Sequence, residues 1–127
     1  MIKISLAYAK LNKADIKYTN AHRKAFREVE KQLLGHNTFR SLFHDLDKSL
    51  ILYRLMKHED ARKIHQYWAK HHERSARTHS DYIQMVIDWE CSRFTKPDKQ
   101  LNARETLYKY YPHKEKEILP ILEELGL

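Results

Sequence analysis

Ala21-His22-Arg23-Lys24-Ala25-Phe26-Arg27-Glu28-Val29-Glu30-Lys31-Gln32-Leu33-Leu34-Gly35 is the stretch that sets the architecture. Ala21, Ala25, Phe26, Val29 and Leu33 recur mostly at steps of three and four, which draws one apolar stripe along a helix. The pattern predicts a helix from about Asp15 to Leu34, with His22 beside the stripe. Gly35-His36-Asn37 ends it, since Gly or Asn past the last turn takes the left-handed backbone that closes a helix. The dozen residues before this helix fit a short strand or a helix start equally well.

Downstream the same period returns. Thr38 is placed to cap a second helix with Phe39, Leu42, Phe43 and Leu46 on its buried side. Ser49 can start a third segment with Leu50, Ile51, Tyr53, Leu55 and Met56 as core. From Glu59 to about Ala76 the chain is polar and rich in His, with Ile64, Tyr67 and Trp68 as its apolar anchors. Thr78 or Ser80 caps the next helix, striped by Tyr82, Met85, Val86 and Trp89, with Asp88 at the edge. Phe94 to Lys99 is the clearest loop. Asn102-Ala103-Arg104-Glu105 has the form of a capping box. It opens a helix carrying Leu107, Tyr108, Tyr110 and Tyr111 that stops at Pro112. The tail from Lys114 to Leu125 is a last amphipathic helix, with Ile118, Ile121, Leu122 and Leu125 inward and Pro120 inside.

Bulk composition agrees. Only 2 Gly and 3 Pro in 127 residues are too few for the many turns of an all-β fold. The expectation is an all-α, single-domain bundle of about six helices spanning residues 1–127. One cysteine, Cys91, excludes an internal disulfide, fits a reducing cytoplasm, and reads as a small buried apolar residue. No run of about 18 apolar residues is present, so no membrane span is expected. The N-terminus lacks the apolar core and cleavage site of a signal peptide. An excess of 24 Lys and Arg over 17 Asp and Glu, a net +7, favours an anionic partner such as a nucleotide, nucleic acid or other phosphate ester.

Nine histidines are many for this length, and some stand where ligands of one metal ion would stand. His44 and Asp45 are adjacent in Leu42-Phe43-His44-Asp45-Leu46-Asp47-Lys48. His22 lies upstream, and His71, His72, His79 and Asp88 lie downstream. Imidazole with carboxylate suits Mn, Fe, Co, Ni or Zn. His58, His65, His72 and His79 are spaced by seven, which one continuous helix would align in a stripe. Asp88 has a plainer alternative, pairing with Arg77 or Arg93.

The order His22, His44-Asp45, Asp88 resembles the HD-domain superfamily of metal-dependent phosphohydrolases, over roughly Ile16 to Arg93. His44-Asp45-Leu46-Asp47-Lys48 looks like that superfamily's His-Asp-x-x-Lys phrase. A closer likeness is to short HD-like proteins of bacteria and tailed phages. These carry a His-rich phrase, here His71 to His79, and a Met-x-x-Asp-Trp phrase, here Met85 to Trp89. Where that family commonly has Asn and a second His-His pair, this chain has Ser75 and a lone His79.

The resemblance implies an HD-like helical fold and a cytoplasmic enzyme, in the host cytoplasm if phage-encoded. His22, His44, Asp45 and Asp88 would form the primary metal set. His72 and His79 would hold a second ion with Asp45 bridging, or act as acid or phosphate ligand. His71 is set aside for His72, because neighbours on a helix point about 100° apart. A cation held there activates a water for attack on phosphorus. Lys48, Arg74 and Arg77 are the candidates to grip phosphate, with Lys48 also in a catalytic role. The expected function is therefore hydrolysis of a nucleotide or other small phosphate ester with one or two divalent ions. Two alternatives stand beside it. One is an HD-fold di-iron oxygenase using His22, His44, Asp45, His72, His79 and Asp88. The other is a non-enzymatic basic module binding nucleic acid or protein, although no helix-turn-helix signature or dense basic tract is present.

Overall fold

The computed structural model describes residues 12–46, 52–53, 56–69, 71–72, 75–96 and 100–127. Among these the chain is all-helical and has no strand. Its elements are α1 (Lys13–Leu34), a 3-10 turn (Arg40–Phe43), α2 (His58–Trp68), α3 (His79–Thr95), α4 (Ala103–Tyr110), a second 3-10 turn (Pro112–Lys114) and α5 (Glu115–Glu124). No helix among them is long and apolar enough to cross a membrane.

Helix α3 is the centre. It packs most extensively on α1 and also carries α4 and α5. A helix touched on several sides must be apolar on several sides. Met85, Val86, Ile87, Trp89 and Cys91 are accordingly all buried. Thr78 starts α3 with a reciprocal cap: its Oγ1 accepts from the Asp81 N–H at 3.1 Å, and Asp81 Oδ2 accepts from the Thr78 N–H at 3.1 Å. Asn102 and Glu105 start α4 in the same way. The buried Glu90 on α3 also accepts the Ala103 N–H at 2.9 Å, where a helix N-terminus favours negative charge. Trp89 stacks on Tyr111 with centroids 5.0 Å apart. Ile118, Ile121, Leu122 and Leu125 close the core as expected, and α5 runs through Pro120. Tyr108 and Tyr110, by contrast, are exposed.

Helix α1 ends at Gly35, whose φ of 81° is the left-handed closure expected there, with its N–H donating to Lys31 O at 2.9 Å. Its buried line, however, is Thr19, His22, Phe26, Val29 and Glu30. Ala21 is exposed and Leu33 only partly buried. The helix is thus turned so that His22 belongs to the inward face rather than beside it. Glu30 is wholly enclosed and explains the turn. Its Oε1 accepts the Thr38 N–H at 2.9 Å, and its Oε2 accepts the Thr38 hydroxyl at 2.7 Å and the Gln84 amide at 3.1 Å. Burial opposes the charge, but donors from Ser41, Thr38 and Gln84 outweigh it and hold the Glu30 pKa below its ordinary value.

The same carboxylate corrects a second expectation. Residues 38–46 are not a helix buried through Phe39, Leu42 and Phe43. Within them Arg40–Phe43 form a 3-10 turn, because Glu30 captures Thr38 and Thr38 in turn binds Ser41. Ser41 is therefore the buried member, while Phe39 (79% exposed), Leu42 and Phe43 point outward. Of the expected segment after Ser49, Leu50, Ile51 and Leu55 lie outside the described residues. Leu52 and Tyr53 are buried with Ala61, and Asn12 ties them to α1 by donating to Tyr53 O and Met56 O. Ile64 is exposed rather than an anchor. Ala61 and His65, one turn apart, face inward instead.

Candidate metal centre

His22 on α1 and Asp88 on α3 meet across the main helix pair, with His22 Nε2 2.7 Å from Asp88 Oδ1. His44, just past the 3-10 turn, brings its Nε2 to 2.9 Å from the same oxygen and 3.5 Å from Asp45 Oδ2. One ligand atom from each of His22, His44, Asp45 and Asp88 falls within 4.8 Å of the others. The His44 ring is buried and stacks on Phe26 at 4.0 Å, which fixes its orientation. Behind His22, the Cys91 sulfur lies 3.7 Å from Nδ1. Burial, and then Asp88, push the Cys91 thiol pKa well up, so it packs as a neutral group.

Asp45 is the one described non-glycine residue with positive φ, at 54°. Asp tolerates this left-handed region better than most residues. Its two oxygens face different neighbours. Oδ2 looks to His44, while Oδ1 lies 2.7 Å from His65 Nε2 and 2.9 Å from His71 Nε2. These two nitrogens are 3.3 Å apart. With His72 they make a second group, Asp45, His65, His71 and His72, again within 4.8 Å.

His71 and His72 reach the same place because α2 has already ended. Ala69 is extended (φ −74°, ψ 121°), and the turn that follows is held by the His72 N–H donating to Ala69 O. The 100° divergence of helical neighbours does not apply in such a turn, which corrects the preference for His72 over His71. The same helix end breaks the seven-residue register, so His79 falls elsewhere. It is exposed at the start of α3, its Nε2 2.7 Å from Glu124 Oε2, and belongs to neither group. Arg77 is also away from the centre. Its N–H serves Asp81 in the α3 cap and its guanidinium donates to Ala76 O at 2.7 Å. Lys48 and Arg74 lie outside the described residues. Asp88 pairs with histidines rather than with an arginine, and Arg93 pairs with Glu90 at 2.9 Å.

The electrostatics favour a charged Asp88 and neutral His44 and His72. Burial works against the Asp88 carboxylate, yet His22 and His44, both within hydrogen-bond distance of its Oδ1, outweigh it and hold its pKa well below the usual range. Burial lowers His44 despite Asp45. Burial and then His71 lower His72 to about 3. His72 Nε2 is buried with no hydrogen-bond partner among the described residues. A neutral imidazole nitrogen left without a partner in a polar, buried setting is the lone pair a cation would take. Ligands held by one ion at about 2.1 Å lie roughly 3 to 4.2 Å from each other, a span both groups can meet. The residues therefore fit a metal ion, with His65, noted only for its spacing, and His71, set aside from the sequence, both as members.

No protein-family model, curated protein or solved structure matches this chain.

Proposed function

We propose that this chain is a metal-dependent phosphohydrolase acting on a nucleotide or other small phosphate ester. The observation that carries this is Asp45, whose two oxygens face two separate histidine-containing groups. A shared carboxylate between two cation sites is the arrangement that clamps a phosphoryl group undergoing in-line displacement. Divalent cations bound there would lower the pKa of water and offset the charge on phosphate. The chain's own part is to favour an ionised Asp88 and neutral His44 and His72, through their burial and pairing. The order His22, His44-Asp45, Asp88 and its likeness to HD-domain phosphohydrolases support the same reading.

The test is a panel of nucleotides and phosphoesters incubated with purified protein and Mn, Co, Ni, Fe or Zn. Turnover of at least one ester is expected, falling roughly 100-fold or more in Asp45→Ala. Turnover no greater than that of the Asp45→Ala control refutes the proposal.

A di-iron oxygenase is the second reading, favoured by the number of imidazoles, five, around two carboxylates. It would use His65, His71 or His72 in place of His79. About two irons per chain with an oxygen-sensitive spectrum would select it. A non-enzymatic anion-binding module draws on the groove of about 460 Å³ lined by Arg23, Lys24, Arg27 and Lys31. In that case alanine at His44 and Asp45 leaves binding intact, and binding falls steeply with salt.

A further inference from the structure

The metal centre opens on a hollow of about 250 Å³ whose wall includes His22, Asp45, Arg62, His72, Asp88 and Lys96. A second hollow of about 240 Å³ shares Arg62, His72, Asp88 and Lys96 with the first and runs on to Tyr110 and Tyr111. Where the two hollows meet, His72 and Asp88 of the candidate metal site stand with Arg62 and Lys96, both exposed and neither in an ion pair with a described residue. At the far end is an aromatic wall. Tyr111 is held there by parallel stacking on the buried Trp89, with ring planes 3° apart, and Tyr110 is 46% exposed beside it.

We propose that this cleft takes a phosphate ester whose organic group is a flat ring. The phosphate lies between the metal centre and Arg62 and Lys96, and the ring lies against Tyr110 and Tyr111. The proposal rests on the phosphohydrolase reading of the same site and names its substrate class. Arg62, on α2, offers a fork of donors suited to two phosphate oxygens, and Lys96, just past the end of α3, offers a point charge. A tyrosine face accepts a flat ring in offset stacking and gains less from a puckered one. Arg62 and Lys96 replace Arg77 as phosphate ligands, since both line the two hollows and Arg77 lines neither.

The test reads binding rather than turnover, by titration calorimetry of protein with and without manganese. The probes are methylphosphonate, cyclohexylphosphonate and phenylphosphonate, whose carbon–phosphorus bonds are not hydrolysed. Phenylphosphonate should bind about tenfold more tightly than the other two. Tyr110→Ala should bring the three within about threefold of one another and leave methylphosphonate unchanged. Arg62→Gln with Lys96→Gln should weaken all three alike, about tenfold. Both sites are exposed, so an unchanged melting temperature verifies the fold of each variant. Equal binding of the three probes, retention of the ring preference in Tyr110→Ala, or no binding of any probe overturns the proposal. A protein that shows the ring preference yet hydrolyses no ester refutes the hydrolase reading and leaves the cleft assignment standing.

Discussion

Replacing Glu30 by Gln tests how the fold holds the loop that delivers His44 and Asp45. The carboxylate is fully enclosed and accepts hydrogen bonds from the Thr38 N–H at 2.9 Å, the Thr38 hydroxyl at 2.7 Å and the Gln84 amide at 3.1 Å. Gln keeps the volume but offers one oxygen, and its NH2 group faces a donor. At least one buried donor is then left without an acceptor, a cost of about 1–3 kcal/mol, and the remaining bonds lose their charge assistance. A loss of roughly 2–4 kcal/mol is expected in urea unfolding at pH 7, seen as a lower midpoint with an unchanged slope. The pH dependence has a definite sign. The folded Glu30 pKa lies below its ordinary 4.5, so its contribution is fully present above 4.5 and disappears as pH falls through the folded value. The gap between native protein and Glu30→Gln should be constant from pH 7 to about 5 and narrow below 4.5. A loss under about 1 kcal/mol at pH 7, or a gap that does not narrow in acid, refutes the role given to this carboxylate.

Three further outcomes are expected. Phe26→Ala removes a fully buried ring stacked on His44 and should cost about 3–5 kcal/mol in denaturant unfolding; a loss below 1 would contradict its place in the core. His79→Ala should leave the metal content of protein purified without chelator unchanged, whereas His65→Ala and His71→Ala should lower it. Equal metal content in all three, measured by elemental analysis, would contradict the assignment. Thr78→Ala deletes the α3 cap and should lower stability by about 1 kcal/mol, which Thr78→Ser should largely restore.

Helix existence was legible where local chemistry decides it. Gly35 closes α1, Thr78 and Asn102 open α3 and α4, and the period of Ile118, Ile121, Leu122 and Leu125 places the last helix. The facing of α1 was not legible, because a buried Glu30 and a buried His22 are paid for by partners 8 to 66 residues away, and a hydrophobic stripe ignores them. The 3-10 turn escaped for the same reason: Thr38 and Ser41 answer to Glu30, and the aromatic pattern of Phe39 and Phe43 then faces outward. In the candidate site, His22, His44, Asp45 and Asp88 could be proposed from their order, and the fold brings them together. His71 was set aside on helical geometry that does not hold, since α2 stops at Ala69, and His65 on α2 stood out only for its seven-residue spacing. His79 was expected in that second group from the resemblance, and it pairs with Glu124 instead.

His22 and Asp88 are separated by 66 residues and sit on the two helices with the largest mutual contact. Any partial opening that lifts α1 from α3 dismantles the cluster, even while α4 and α5 remain docked on the other side. The site is thus a gauge of one particular subglobal event. Slow amide exchange in α1 and integrity of the cluster should rise and fall together, whereas fraying at the α5 end should leave both untouched.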